Sequence, residues 1–485
     1  MPPPRNASAP PSTSPWQVVP LDAYALPGDS QPAALRRRWR ALARLLRGDG
    51  SDSGDSVQAR AEAELRSLPR VRLENLAPPL DWSGAAEALS RQLAEDAIPI
   101  AQAPADGRPQ VRVLVCPPPC DHGQILTHWA TAHGARVLEP PAADALLGGA
   151  PRWLEHLAHP LAHPLAHPLA GPIAAPFAHA AAPDTGPRPW VLPRLERCFL
   201  RHADGLALLR DFLDAAFSGR LGSGLIGCDS WAFAFVQRIW PLPAGSALTL
   251  QAFDGEALAE HFVRPHGGEG GIEFRSARSG KPLLPAATQS GEAAAGHGAP
   301  SARGAAEEVA EDDTCQVAPE LRQLAAHARG NPGLAWHYWR RRLCAAPEAQ
   351  HAEAAAAGAR DAQARAGRER ILGEEVVWLA DEPEPPALPA GSGEDDAFIF
   401  HALLVHGGLH AHWLPQLLPI PAPRLRARLL RLEALGLVAR EDAPAGNHAS
   451  GEAAQPPEGR WRVAPLAYLT VREFLRGRSY LTDAF

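Results

Sequence analysis

The sequence predicts a multidomain protein with a central α/β domain built on a parallel sheet, followed by a smaller C-terminal unit of helices and strands. The chain has 485 residues, of which 46% are hydrophobic, and this length exceeds what one hydrophobic core usually organises. Residues 109–263 alternate short apolar runs with helical patterns, which is typical of a parallel α/β sheet. Residues 394–485 show three helical patterns and then two strand patterns.

The central region supplies five candidate strands with helices between them. The candidate strands are "VRVLVC", "ARVLEP", "PWVLPRLE", "SGLIGC" and "ALTLQAF", and the candidate helices run from Gln124 to His133, from Asp204 to Phe217 and from Ser230 to Ile239.

Composition divides the remaining chain into further segments. We expect a disordered N-terminus (1–30), a helical region (31–104), an α/β core (105–263) with a repeat-containing loop (156–186), a disordered insertion (264–315), a helical segment (316–380), a linker (381–393) and the C-terminal unit (394–485).

Charge and composition exclude several classes of protein. The formal net charge of -7 argues against a globally basic chain that binds polyanions without discrimination. The sequence has no apolar run long enough to span a membrane and no signal peptide at its start, so we expect a cytoplasmic protein without membrane insertion. The six cysteines are expected to be thiols.

A tandem "HPLA" repeat places His159, His163 and His167 four residues apart. On a helix this spacing would stack the imidazoles as metal ligands. Prolines recur at the same spacing and would break such a helix, so the repeat predicts a loop without a metal site.

The segment "VRVLVCPPPCDHGQILTHWA" has the order strand, loop and helix that a phosphate-binding loop requires. It resembles the AAA+ and STAND-type ATPases, whose loop typically reads G-P-P-G-x-G-K-T. Against that pattern Pro117 and Pro118 match and Cys120 takes the variable position. Cys116, Pro119 and Asp121 stand where glycines are expected, His122 stands for the lysine, and Gly123 stands for the Ser/Thr that ligates magnesium.

The resemblance extends along residues 105–343 through the order and spacing of further segments. It implies that Glu196, after "WVLPRL", lies at the Walker B position, where Pro193 and Arg194 replace the first expected acids. It also implies that Asp229 and Ser230 end the sensor strand. The segment "ARGNPGLAWHYWRRRL" resembles the lid helices of these ATPases, with Asn331 and Arg340 as its candidate residues.

The departures from the ATPase loop pattern predict that this turn has lost the ability to bind nucleotide phosphates. Pro119 lacks an N–H, Asp121 brings a negative charge, and Gly123 offers no ligand for magnesium. The only lysine, Lys281, lies in the predicted insertion. An atypical ATPase, in which His122, Arg197 or Arg201 replaces the lysine, is the alternative.

Two other interpretations of the turn stay open at this point. It is an ordinary βα connection, or it contributes to a zinc site. The zinc ligands would be Cys116, Cys120 and His122, with Cys198, His202 and Cys228 from neighbouring strands. The stiff "CPPPC" spacing disfavours zinc, so we predict no metal. No local motif supports a nucleophilic cysteine.

The C-terminal unit resembles winged-helix regulators, since "RLEALGLVARED" and "GRWRV" follow two earlier helices. Its third helix carries Arg424, Arg428 and Arg431 opposite a leucine stripe. The unit contains as many acidic residues as arginines. These arginines are therefore candidates either for DNA phosphates or for docking within the molecule.

The sequence as a whole predicts a non-hydrolytic regulatory or scaffolding protein that acts through domain docking or a protein partner. The alternatives are an ATP-binding ATPase with atypical motifs and a winged-helix DNA-binding regulator. We expect that the protein binds no cofactor. Binding of ATP with magnesium is the less favoured alternative.

Overall fold

The computed structural model describes residues 14–27, 65–101, 110–141, 146–147, 153, 189–266, 271–284, 317–345, 375–441, 459–483 and 485. The predicted repeat loop (156–186) and the first part of the predicted helical region (31–64) lie outside these residues. The chain forms two compact units. The smaller comprises Met1–Pro15, Ala25–Leu80 and Ala252–Glu384, and the larger comprises Trp16–Tyr24, Asp81–Gln251 and Pro385–Phe485.

The strands are β1 (Val18–Pro20), β2 (Arg66–Ser67), β3 (Val111–Cys116), β4 (Arg136–Val137), β5 (Trp190–Leu192), β6 (Gly224–Asp229), β7 (Ala247–Leu250), β8 (Ile272–Ser276), β9 (Leu343–Ala345), β10 (Glu375–Leu379), β11 (Leu409–His410), β12 (Val438–Glu441) and β13 (Arg460–Val463). The helices are α1 (Arg70–Leu76), α2 (Ser83–Ala101), α3 (His122–His133), α4 (Ala207–Phe217), α5 (Ser230–Ile239), α6 (Gly255–Leu258), α7 (Pro319–His327), α8 (Pro332–Arg342), α9 (Glu394–Val405), α10 (Leu414–Leu417), α11 (Ala422–Ala434) and α12 (Tyr468–Gly477).

The larger unit is built on a sheet with strand order β1-β7-β3-β6-β5-β4. Strands β3 to β7 are parallel to one another, and β1 pairs antiparallel with β7 at the edge. The α/β class is therefore confirmed. Each of the five predicted strand segments forms a strand, because runs such as "VRVLVC" are apolar enough to be buried on both faces of a parallel sheet.

Part of the N-terminus departs from the expected disorder. Strand β1 pairs with β7 in the register Val18 to Leu250. Trp16 is 3% exposed and packs on Trp82 with 5.3 Å between the ring centroids. The apolar residues of "WQVV" are therefore sufficient to hold this segment against the sheet, although Pro and Ser dominate the residues before it.

Helix α3 begins two residues before the predicted Gln124. The carboxylate of Asp121 accepts a hydrogen bond from the Gln124 N–H at 3.1 Å and so caps the helix. The helix ends at Gly134, whose φ of 61° lies in the left-handed region. Asp229 likewise caps α5, which has the predicted bounds.

The smaller unit differs most from the sequence prediction. Its sheet has the order β2-β9-β10-β8. Strand β8 lies in the predicted disordered insertion, and β9 and β10 lie in the predicted helical segment, so both predictions are wrong for these strands. Strands β8 and β10 pair in parallel although about a hundred residues separate them in the chain, and no local pattern reveals such a pairing. The predicted helices of residues 319–343 are confirmed as α7 and α8.

Residues 394–485 form the helices α9, α10 and α11 and a three-stranded antiparallel sheet of order β11-β13-β12. Helix α11 leads through Gly436, at a φ of 68°, into β12. The predicted pairing of β12 with β13 is confirmed, and β11 and α12 are additions. The predicted linker, 381–393, has neither helix nor strand. None of the helices in the described part of the chain is both long and apolar enough to cross a bilayer.

Candidate functional site

The candidate site lies at the carboxyl edge of the parallel sheet in the larger unit. The turn after β3, the residues after β5 and the end of β6 meet there, because the carboxyl ends of parallel strands share one edge. Strand β3 lies between β6 and β7, so its turn is central in the sheet. Central turns of this kind are where open α/β sheets bind ligands.

The turn itself has few backbone donors to offer an anion. Pro117, Pro118 and Pro119 have no N–H. The Cys120 N–H donates to the Pro117 carbonyl at 3.0 Å, so it is used within the turn. The Asp121 carboxylate occupies the cap of α3 and accepts from the Gln124 side chain as well, at 2.8 Å. A cradle of free amides, which a phosphate-binding loop requires, is not formed by these residues.

His122 and Glu196 form a buried hydrogen-bonded pair. The His122 Nε2 donates to Glu196 Oε1 at 3.1 Å, and the side chains are 3% and 1% exposed. Burial by itself would raise the pKa of Glu196, but His122 and Arg194 outweigh it and hold the pKa at about 2. Glu196 is therefore an anion at neutral pH, and His122 points its Nε2–H at this carboxylate.

The Arg194 guanidinium lies beside the start of α3, close to Gly123. Its Nη2 lies 2.5 Å from Asp121 Oδ1, and its Nη1 lies 3.6 Å from Glu196 Oε1. Burial acts to lower the pKa of Arg194, but these two carboxylates raise it. A Cβ on Gly123 would lie 2.7 Å from the Arg194 Nε, so a side chain at this position would have to displace the Arg194 guanidinium.

Asp229 and Ser230 have structural contacts. Asp229 is 6% exposed and accepts the Trp231 N–H at 2.9 Å, and burial together with Glu196 raises its pKa well above the ordinary value. The Ser230 hydroxyl donates to Asp483 Oδ2 at 2.7 Å. Neither side chain is arranged to ligate a cation.

The C-terminal region covers this edge of the sheet. A cavity of about 140 Å³ lies between the turn residues on one side and Leu403, Gly407, Arg462 and Tyr468 on the other. Gly407, at a φ of 54°, comes so close that a Cβ there would lie 3.2 Å from the Glu196 Cγ. The 394–485 region therefore packs directly on Glu196.

A buried hydrogen-bond network, here called the Asp483 latch, joins the two parts. The Tyr468 hydroxyl accepts from Trp231 Nε1 at 3.2 Å and donates to Asp483 Oδ2 at 2.9 Å. Arg472 Nε donates to Asp483 Oδ1 at 3.0 Å. Burial and Asp483 raise the pKa of Tyr468, so its hydroxyl stays protonated. The latch connects the end of the chain to α5.

A second junction uses two histidines and Arg201. The Arg201 Nη1 donates to His401 Nδ1 at 2.7 Å, and the Arg201 main-chain N–H donates to His406 Nε2 at 3.3 Å. Burial first, and Arg201 second, lowers the pKa of His401 to about 4. Burial lowers the pKa of His406 to about 3. Both imidazoles are therefore neutral acceptors at pH 7.

The arginines of α11 do not make this docking contact. Arg428 donates to the Asp396 carboxylate at 2.8 Å, and Arg424 lies 2.5 Å from Asp395. Both pairs lie within the C-terminal region, because α11 packs beside the start of α9. The Arg431 side chain makes no hydrogen bond or ion pair with a described residue. The contacts of Arg424 and Arg428 lie within the C-terminal region, and a docking role for α11 stays a prediction.

The candidate zinc ligands do not form a metal site among the described residues, although the side chains of Cys116 and Cys120 lie within hydrogen-bond distance of each other. The described residues contain no group of three or more His, Cys, Asp or Glu side chains that could hold a metal. Burial raises the pKa of Cys120, Cys198 and Cys228, so these thiols are protonated and poor nucleophiles. His202 lies at the surface beside Asp204.

The candidate lid residues have contacts inside the smaller unit. Asn331 caps α8 by accepting the Leu334 N–H at 3.1 Å. Arg340 donates to the Ala77 carbonyl at 2.8 Å. Their role in a lid stays a prediction.

The three candidate substitutes for the missing lysine are His122, Arg197 and Arg201. His122 and Arg201 have the partners given above, and Arg197 does not line the cavity at the turn. Sequence reasoning named Arg194 only as a departure from Walker B, and it missed Asp483, Tyr468 and His406. Arg194 could have been recognised from the sequence, because it stands where the ATPase pattern has an acidic residue and lies two positions from Glu196. A basic residue in that position suggests an internal ion pair.

Searches with this chain against protein-family models, curated proteins and solved structures found no match, so the site is interpreted from its own geometry.

Proposed function

We propose that this protein is a non-hydrolytic regulatory or scaffolding protein with a P-loop-like α/β core, in which the nucleotide position is closed by internal ion pairs. One observation carries the proposal. The Arg194 guanidinium lies over Gly123 and pairs with Asp121. This supports the proposal, because in a phosphate-binding loop the same position would be left to magnesium and phosphate.

The energetics oppose a nucleotide at this position. A phosphate beside Asp121 and Glu196 would meet two carboxylates, and like charges 4 Å apart repel by about 4 kcal/mol at the effective dielectric constant of a protein surface. Displacing Arg194 or His122 would leave a buried carboxylate without its partner, which costs about 3–5 kcal/mol. These costs are larger than the stabilisation that a phosphate would gain from the few N–H donors of a proline-rich turn.

The C-terminal region fits the role of a docked regulatory element. Its three helices and antiparallel strands are the arrangement expected of a winged helix. It packs on the α/β core through buried polar contacts rather than through apolar surface alone, as Ser230 and Trp231 meet the Asp483 latch. Buried polar contacts are lost together when a docked region separates, which suits a two-state element. We infer that docking and release of this region, with a protein partner competing for it, is how the molecule acts.

DNA binding by α11 is the weaker alternative. Arg424 and Arg428 are already paired with the acids at the start of α9, so a phosphate would have to displace Asp395 and Asp396. The helix is left with too small a basic surface to supply the electrostatic part of DNA affinity.

Titration of the full-length protein with a fluorescent ATP analogue and magnesium tests the nucleotide part of the proposal. We expect no saturable binding at the β3 turn and no hydrolysis. Magnesium-dependent hydrolysis that Glu196→Gln abolishes would overturn the proposal.

Hydrogen exchange tests the docking part. Tyr468→Phe removes the hydroxyl that joins Trp231 to Asp483, so exchange should rise in both α5 and α9. Ser392→Ala is the matched control, because its hydroxyl donates to Pro389 inside the linker. Unchanged exchange in Tyr468→Phe would contradict the docking proposal.

A further inference from the structure

A second cavity, of about 250 Å³, lies in the larger unit and has only Glu196 in common with the cavity at the β3 turn. Its walls come from the residues after β4, the segment after β5 and the C-terminal region. Phe199, Leu409 and Trp413 form an apolar part, and Arg197 and Arg460 form a basic part. A ligand in this cavity would therefore touch both sides of the docked interface.

The polar groups of this cavity that have no protein partner are hydrogen-bond donors. Arg460 Nε and Trp413 Nε1 are buried without a partner, although the Arg460 Nη2 donates to the main-chain oxygens of His406 and Gly408. Guanidinium and indole groups donate and do not accept. A buried donor without an acceptor is costly, so a ligand that supplies acceptors is favoured.

The charges of the cavity also favour an anion. No hydrogen bond or ion pair joins the Arg197 guanidinium to another described residue, and Arg197 is exposed to solvent. Burial and the neighbouring Arg197 lower the pKa of Arg460 to about 10. Among the described residues, Glu196 is the only carboxylate that lines the cavity, and it is already bound by His122 and Arg194. The arginines thus repel each other without a counter-ion of their own.

We propose that this cavity binds a small organic anion, a phosphate or carboxylate group on a short apolar body, held by Arg197 and Arg460 against Trp413. Arginine suits both head groups because its planar fork matches their oxygen pairs. The cavity is smaller than the usual site of a drug-sized ligand, about 300–1,000 Å³, which limits the apolar body to about one ring. Because the ligand spans the interface, its binding stabilises the docked state. The site lies outside the nucleotide position and does not depend on the proposal for that position.

Calorimetric titration of the full-length protein with phenyl phosphate and with benzoate tests the site. We expect one saturable site, and the tighter of the two ligands identifies the head group. Inorganic phosphate and benzyl alcohol, which each carry half of the required chemistry, should bind at least tenfold more weakly. None of these ligands is a nucleotide, so a negative result would not bear on the test of nucleotide binding at the β3 turn.

Arg197→Gln should weaken binding at least tenfold, because it removes a guanidinium that holds the anion. The fold should be unaffected, because this guanidinium makes no hydrogen bond or ion pair with a described residue. Trp413→Phe keeps the aromatic wall but removes the N–H, and should weaken binding several-fold. Arg424→Gln is the matched control, since it removes an arginine of the same region that pairs with Asp395, and it should bind as the parent does. Absence of saturable binding, equal affinity for benzyl alcohol, or undiminished binding by Arg197→Gln would each overturn the proposal.

Discussion

Replacing Glu196 with glutamine should destabilise the larger unit by about 3 kcal/mol at pH 7, a magnitude that follows from its ion pair. The folded structure holds the pKa of Glu196 at about 2 against an ordinary 4.5. Each pKa unit is worth about 1.4 kcal/mol, so the shift corresponds to about 3 kcal/mol of stability when the group is ionised. This agrees with the cost of about 3–5 kcal/mol for removing one member of a buried pair.

Urea unfolding followed by tryptophan fluorescence measures this difference. Glu74→Gln is the control, because Glu74 pairs with the surface residue Arg70 on one helix, and its loss should leave the transition unchanged. An equal shift in the two variants, or a loss below about 1 kcal/mol in Glu196→Gln, would refute the reasoning because it would show that the buried pair is energetically unimportant.

The same variant has a defined pH dependence. A carboxyl group with a lowered folded pKa contributes its stability above the unfolded value and loses it as the pH falls toward the folded value. The difference between the parent and Glu196→Gln should therefore be constant above pH 4.5 and shrink as the pH falls toward 2. A difference that stays constant down to pH 2 would show that the effect is steric rather than electrostatic.

Three further predictions concern the turn, the docking interface and α11. Gly123→Ser should lower stability by about 1–3 kcal/mol, since the new side chain overlaps a guanidinium, and thermal melting should show this loss while Gly477→Ser, in open space, melts as the parent does. His406 has a lowered folded pKa of about 3, so its contribution is lost as the pH falls below 6.5, and acidification to pH 5 should cost about 2 kcal/mol. Hydrogen exchange of α9 that is unchanged between pH 7 and 5 would contradict this. Fluorescence anisotropy with duplex DNA should show no binding that depends steeply on salt, and a steep dependence that Arg428→Ala and Arg431→Ala reduce would restore the DNA hypothesis.

Local patterns were sufficient to predict much of the larger unit. Buried parallel strands are continuous apolar runs, so "VRVLVC" and "GLIGCD" were recognisable without any knowledge of their neighbours. Helix α5 was predicted with its observed bounds, because Asp229 is a strong N-cap. The order of elements in the C-terminal region followed from its leucine stripe and the glycine after it.

Pairings between distant segments were not predictable in the same way. Strand β8, "IEFRS", is short and weakly apolar, whereas β10, "EVVWL", is short and apolar. Each is paired with a strand far away in the chain. The low hydrophobicity around β8 predicts disorder for that segment. Strands β9 and β10 lie next to helical patterns, so the sequence predicts a helical segment there. The hydrogen bonds of a sheet link residues without regard to sequence distance, so composition alone is a poor guide to such strands.

The sequence by itself determined which residue types stand in the turn after β3, where three prolines lack N–H groups and neither a lysine nor a hydroxyl follows. The prediction that phosphate-binding chemistry is lost rests on these residue types. Only the tertiary structure decided what stands in that place. Residues from three strands, and a region about two hundred positions later, meet at one sheet edge, where Arg194 pairs with Asp121 and Gly407 packs on Glu196. Charge pairing and close packing depend on distances of a few ångströms between side chains, and these distances are set by the fold rather than by the order of residues along the chain.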